Sequence, residues 1–158
     1  MTIDEFKIEL KNNIHQLSKN ISDGNIPFSD VTTYINELSV PPLIKFAYLS
    51  HPKCTVKEFK KHYRPLVQKT GLAAYNILTK THLVENISII YYVLNIEDES
   101  IESIEKLYPA KHHVFNAIGK NPRCNQTFKN LLYTLTNNPE YLTKSAQDVF
   151  IFFFFFKH

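Results

Sequence analysis

The chain has 158 residues, of which 44% are hydrophobic and 21% are charged, and its formal net charge at pH 7 is +3. These proportions are those of about one globular domain, and they exclude a disordered, collagen-like or disulfide-dense chain. So small a net charge does not by itself indicate a nucleic-acid or membrane partner.

The cysteine content and the N-terminus favour a cytoplasmic or nuclear protein. Two cysteines, Cys54 and Cys124, are too few for a secreted disulfide framework, and we expect reduced, half-buried thiols. Residues 1–5 lack the basic and apolar regions of a signal peptide.

The first predicted helix runs from Ile3 to Ile21, because apolar residues recur there at steps of three and four. Thr2 and Glu5 form a capping-box pattern at its start, and Gly24 supplies a left-handed stop. The pattern predicts one continuous amphipathic helix.

Two shorter helices should follow. Ser29 or Asp30 is expected to cap the first of them. The pair Pro41-Pro42 should end it and start a second, which is apolar over 43–49 and is broken by His51-Pro52.

A second capping box, Thr55 and Glu58, predicts the start of another helix, and Pro65 is expected to end or kink it. Its predicted buried face consists of Val56, Phe59 and Tyr63.

The remaining predicted helices are 72–80, 84–96, 101–107 (capped by Ser100, before Pro109), 113–119, 126–135 and 139–144. Residues 89–93 would also suit a strand, but no second strong strand lies nearby, so we favour a helix. The connections are short, as they are between antiparallel helices. We therefore predict a single all-α domain over residues 1–148.

Residues 149–158 form an apolar, phenylalanine-rich tail that includes five consecutive phenylalanines, Phe152 to Phe156. Such a run follows neither helix nor strand periodicity, and it is far shorter than the ~20 residues of a membrane helix. We interpret it as reading into a homopolymeric DNA tract rather than as native sequence. The expected partners therefore do not include a membrane.

Two segments, 47–54 and 117–124, share an order of residues: alanine, then a polar residue, proline, a basic residue and cysteine. A shorter echo follows at 135–140. This pattern, a helix followed by a proline-containing turn and a second helix, resembles armadillo- and HEAT-type repeats or variant leucine-rich helical repeats. The resemblance implies a scaffold whose grooved surface binds a protein or peptide. The alternative is an irregular helical bundle, since the 72–96 region lacks the proline turn.

One helix face is strongly basic. Its candidate binding residues are Lys53, Lys57, Lys60, Lys61, Arg64 and Lys69. Residues 53–69 carry a net +5, with only Glu58 opposing, while the rest of the chain is at −2. The segment fits an acidic peptide or nucleic-acid phosphates, and a plain solvated helix face is the third interpretation.

Other chemistry finds little support in the sequence. His51, Cys54, His62 and Cys124 could be imagined as zinc ligands, but structural zinc needs paired ligands at short spacing on both sides. Cysteine catalysis would require a thiolate beside a histidine. We find no catalytic, metal or cofactor motif, and predict a protein-binding module rather than an enzyme, with nucleic-acid binding through the basic face as the alternative.

Overall fold

The computed structural model of the chain describes residues 1–98 and 100–143, and every regular element among them is helical. This confirms the all-α prediction. The α-helices are α1 (Ile3–Asn12), α2 (Ile14–Ser22), α3 (Phe28–Glu37), α4 (Pro42–Leu49), α5 (Val56–Lys69), α6 (Ala73–Leu78), α7 (Ile87–Leu94), α8 (Ile101–Lys120) and α9 (Gln126–Thr136). Single 3₁₀ turns occupy His82–Glu85 and Pro139–Tyr141.

The chain divides into two compact units, a first unit of Met1–Leu83 and a second unit that begins at Val84. A repeat fragment and an irregular bundle are both compatible with these helices. The single-domain boundary of 1–148 stays a prediction, and the phenylalanine-rich tail lies outside the described residues.

Helix α4 is the centre of the first unit. It contacts α2, α3, α5 and α6, and four of its eight residues are buried: Ile44, Ala47, Tyr48 and Leu49. Pro42 occupies its first turn, where the missing N–H costs nothing. The helix ends before His51-Pro52, as predicted.

The predicted helix 3–21 is two helices, not one. Asn13 has φ −142° and ψ 51°, outside the helical region, and separates α1 from α2. Its N–H still donates to the carbonyl of Glu9 (2.8 Å), and its own carbonyl accepts from Leu17 (2.9 Å). Asparagine side chains compete with helical backbone bonding, so Asn12-Asn13 is a weak point that apolar periodicity does not reveal. The Thr2 cap and the left-handed Gly24 (φ 80°) are as predicted.

The start of α3 differs from the prediction. Pro27, with φ −54°, is the N-cap, so neither Ser29 nor Asp30 caps the helix. Proline's fixed φ favours an extended approach followed by a helical turn. The helix therefore starts one residue before the nearest predicted cap, and Asp30 lies in its first turn.

The second unit packs α7 on α8, α8 on α9, and α9 on the turn Pro139–Tyr141. Helix α7 is shorter than the predicted 84–96, because the Asn86 side chain accepts the Ser88 N–H and Asn95 ends the helix with φ 57°. It is a helix rather than a strand, as predicted. The last predicted helix, 139–144, is reduced to the single 3₁₀ turn, and residue 144 lies outside the described part.

Helix α8 joins two predicted helices across Pro109. The only non-helical backbone inside it is at Lys111 (φ −127°, ψ 27°), two residues beyond the proline. The Lys111 ammonium lies 3.5 Å from the carbonyl of Leu94 at the end of α7. A proline inside a helix either kinks or breaks it, and here helical structure continues on both sides, with Ile104 and Phe115 buried.

Candidate partner-binding face of helix α5

Helix α5 presents one buried and one basic side. Thr55 caps it, since its hydroxyl accepts the Glu58 N–H at 3.2 Å. Phe59, Tyr63 and Leu66 are at most 4% exposed, and the rings of Phe59 and Tyr63 stack with centroids 5.0 Å apart. This apolar stripe holds the helix on the first unit and leaves the opposite side outward.

The structure corrects one prediction for α5 and narrows another. Val56 was expected inward, but it is 37% exposed, because position 56 lies at the edge of the buried stripe. Of the two outcomes predicted at Pro65, an end or a kink, the helix does not end there but continues to Lys69. Proline removes one intrahelical bond, and the buried Tyr63 and Leu66 on either side keep the helix packed through it.

All six candidate basic residues are exposed. Four of them form what we call the basic stripe: Lys57, Lys60, Lys61 and Arg64. At about 100° per residue these four cover roughly 100° of the helix circumference, opposite the buried stripe. Lys69 lies away from them, about 130° round from the centre of the basic stripe by the same geometry.

Lys53 precedes the helix and is placed by a hydrogen-bonded turn. Its N–H donates to Nδ1 of His51 at 2.9 Å, and the N–H of Cys54 donates to the His51 carbonyl at 3.0 Å. The other ring nitrogen, Nε2, lies 2.7 Å from the carbonyl of Ile26. His51 is 2% exposed, so the turn is held in the first unit by a buried side chain. The backbone position of Lys53 is fixed by the same turn.

Glu58 does not lie on the basic stripe. Its carboxylate turns towards α4, where it accepts a hydrogen bond from the Tyr48 hydroxyl at 3.0 Å. The Glu58 side chain is 15% exposed. Because Glu58 is the only acidic residue of α5, the helix has no acid on its outer side.

A polar cluster holds Glu58 there. The Tyr48 ring stacks on Phe28 (centroids 4.7 Å apart, planes 4° apart), and its oxygen lies 2.7 Å from the Thr32 hydroxyl. Nε2 of His62 lies 3.3 Å from Oε2 of Glu58. The geometry of this contact does not meet the criteria for a hydrogen bond. Burial lowers the pKa of His62 and raises that of Tyr48, so both side chains are neutral at pH 7.

Sequence reasoning missed this cluster. The available signal was Tyr48 inside an apolar helix, because a buried tyrosine usually finds a partner for its hydroxyl. The identity of that partner depends on how α4 and α5 pack.

The residues considered for zinc and for cysteine catalysis are engaged elsewhere. Both ring nitrogens of His51 have backbone partners, and the Cys54 thiol lies 3.6 Å from the Thr55 carbonyl. Burial raises the pKa of Cys54 to about 12, and that of Cys124 likewise, so neither is a thiolate at neutral pH. Among residues 1–98 and 100–143, no three histidine, cysteine or acidic side chains come together as metal ligands.

The second unit contains a turn with the same local bonds as the His51 turn. The Arg123 N–H donates to the Asn121 side chain at 2.9 Å, and the Cys124 N–H donates to the Asn121 carbonyl at 3.0 Å. The Asn125 side chain then caps α9 through the Phe128 N–H. The shared order of residues in the two segments therefore corresponds to a shared turn geometry, while membership of a repeat family stays a prediction.

In the second turn the basic residue is partnered, since Nε of Arg123 donates to the carboxylate of Glu85. Lys53 and the four residues of the basic stripe are all exposed.

Comparisons with family models, with curated proteins and with solved structures find no match for this chain. None of the described helices combines the length and the apolar character needed to cross a bilayer. What can be inferred about function therefore rests on the geometry of the chain itself.

Proposed function

We propose that the chain is a protein-binding module and that Lys53 with the basic stripe holds an acidic segment of a partner protein. The observation that carries this proposal is the position of Glu58. Its carboxylate is held by Tyr48 on the inner side of α5, so the outer side presents charge of one sign.

The basic stripe suits a short peptide. From Lys57 to Arg64 it extends about 10 Å along the helix axis, which three or four residues of an extended peptide would span. Exposed ion pairs are individually weak, worth about 0.2–1 kcal/mol each, so useful affinity requires several at once on a rigid support. The stacked Phe59 and Tyr63 beneath the helix provide that support.

Nucleic acid is the alternative ligand, and two features of the chain favour an acidic peptide over it. Single-stranded nucleic acids are held by stacking on exposed aromatic rings as well as by charge. Both aromatic residues of α5, Phe59 and Tyr63, are buried. The net charge of +3 for the whole chain also supplies little general attraction for a phosphate backbone.

The proposal is tested by fluorescence anisotropy with two labelled probes, an oligo-glutamate peptide and a single-stranded oligonucleotide of equal charge. The test variant reverses three charges of the basic stripe, K57E/K60E/K61E. The matched control, K7E/K11E/K19E, makes the same change at three exposed lysines of α1 and α2.

We expect the test variant to weaken peptide binding roughly tenfold or more at low salt, and the control by no more than about threefold. Equal losses in both variants, or no binding by the wild type at low salt, would overturn the proposal. Tighter binding of the oligonucleotide that depends on the same lysines would establish the nucleic-acid alternative instead.

A further inference from the structure

The second unit contains an apolar groove that is separate from helix α5. Its volume is about 300 Å³, and α7, the start of α8 and α9 form its walls. The apolar residues lining it are Ile87, Tyr91, Ile101, Ile104, Phe128 and Leu131. This volume is at the lower end of the range for ligand pockets and could accept one or two large side chains.

Ile101 marks the open side of the groove. It is 62% exposed, whereas Ile104, one helical turn further along α8, is 2% exposed. Phe128 below them is 1% exposed. The apolar surface of the groove therefore continues the core of the second unit outward, and an apolar side chain placed against Ile101 would extend that core.

The two sides of the groove differ in charge. On the α8 side, the exposed Glu105 follows Ile101 by four residues, so the two share one side of the helix. Glu102 is also exposed and lies about 100° round the helix from Ile101, on the side away from Ile104. Asp98 lies just before α8, and hydrogen bonds from Ser100 and Ser103 lower the pKa of its carboxyl group.

On the α9 side the groove is lined by uncharged polar residues: Thr127, Asn130 and Thr134. The groove thus combines an apolar floor, one acidic edge and one neutral edge. A complementary ligand has an apolar face with positive charge along one flank.

We propose that this groove binds an amphipathic helix of a partner protein whose apolar face is flanked by lysine or arginine. Helices dock in such grooves through apolar anchors at steps of three and four residues. The most basic helix of this chain cannot be that ligand, because the apolar face of α5 is already buried at Phe59, Tyr63 and Leu66. The proposal is independent of the function proposed for the basic stripe.

The probe for this proposal is a fluorescent synthetic peptide of about 18 residues, long enough to form a helix, with leucines at steps of three and four and lysines on both flanks. A second peptide keeps the leucines and replaces every lysine with glutamate. Binding of both to the full chain is measured by anisotropy at low and moderate salt.

The groove variant is Ile101→Asn, and its matched control is Leu72→Asn, at an aliphatic residue that is 69% exposed in the first unit. Because both side chains are exposed, neither change should alter the thermal unfolding profile. The charge variant is E102Q/E105Q.

We expect Ile101→Asn to weaken binding of the lysine peptide about tenfold or more and Leu72→Asn to leave it unchanged within about twofold. E102Q/E105Q should weaken it about threefold and flatten its salt dependence. Equal binding of the glutamate peptide, or equal losses at Ile101 and Leu72, would overturn the proposal.

Two further outcomes would also contradict it by identifying another occupant. A dimer in sedimentation analysis that dissociates in Ile101→Asn would mean that a second copy covers the groove. Binding by a chain ending at Thr143, but not by the full chain, would mean that the chain's own C-terminal segment does so.

Discussion

The hydroxyl of Tyr48 donates a 3.0 Å hydrogen bond to the carboxylate of Glu58, and this bond joins α4 to α5. It also keeps Glu58, the only acidic residue of α5, on the inner side of that helix. The outer surface of α5 therefore carries no acidic residue of the helix. Tyr48 itself is fully buried.

Tyr48→Phe should lower the free energy of unfolding by about 1.5–3 kcal/mol, because it removes the donor to a largely buried carboxylate. Urea unfolding of Tyr48→Phe, Glu58→Gln and the double variant forms a double-mutant cycle. We expect the double variant to lose clearly less than the sum of the single losses. Simple additivity would show that the two groups do not interact in solution.

The stability of the first unit should fall in mildly acidic solution because of His62. Burial is the main cause of its lowered pKa; Lys45 of α4 and neighbouring Lys61 lower it too, while Glu58 acts in the opposite direction. The unfolded chain therefore takes up a proton near pH 6.5, whereas the folded chain does so only at a lower pH.

The stabilisation due to neutral His62 is fully present above pH 6.5 and is lost as the pH falls from 6.5 towards the lower, folded-state pKa. We expect a smaller free energy of unfolding at about pH 5.5 than at about pH 7.5, and a flatter dependence in His62→Gln. An identical pH dependence in both proteins would assign the effect to other groups.

The turn at His51 should tolerate asparagine better than alanine. Asn121 occupies the corresponding position in the second unit and accepts the Arg123 N–H just as His51 accepts the Lys53 N–H. His51→Ala removes that acceptor and the contact with Ile26, and we expect a loss of about 2–4 kcal/mol. His51→Asn should lose about half as much, since it restores the acceptor. Equal losses in urea unfolding would contradict the shared turn geometry.

Gly119 and Gly71 make a matched pair of glycine-to-alanine changes. A Cβ at Gly119 would lie 2.5 Å from Cδ1 of Leu132 and 2.6 Å from Cε1 of Tyr141, and both of those side chains are buried. We expect Gly119→Ala to destabilise the second unit by about 1–3 kcal/mol despite alanine's better helix propensity.

No atom lies within 4 Å of a Cβ at Gly71, so Gly71→Ala should be neutral or slightly stabilising. Thermal unfolding of both variants checks the pair. A neutral Gly119→Ala would mean that Leu132 and Tyr141 can move apart without cost.

The sequence by itself determined the helical class and many helix ends. Apolar residues at steps of three and four predicted helices, and the caps at Thr2, Thr55 and Ser100 are where the capping patterns indicated. These features depend on residues within a few positions of each other, so a single sequence records them. The outward orientation of the basic stripe follows from the same periodicity.

Only the tertiary structure decided the features that depend on packing between helices. The inward orientation of the Glu58 side chain depends on a hydrogen bond from Tyr48, which lies ten residues earlier on another helix. The helical path through Pro65 and the apolar groove at Ile101 likewise depend on neighbours that the local pattern does not specify. Local periodicity sets which side of a helix is apolar, but the partner of each polar side chain is chosen by the packing of distant segments, where an unpaired buried group is costly.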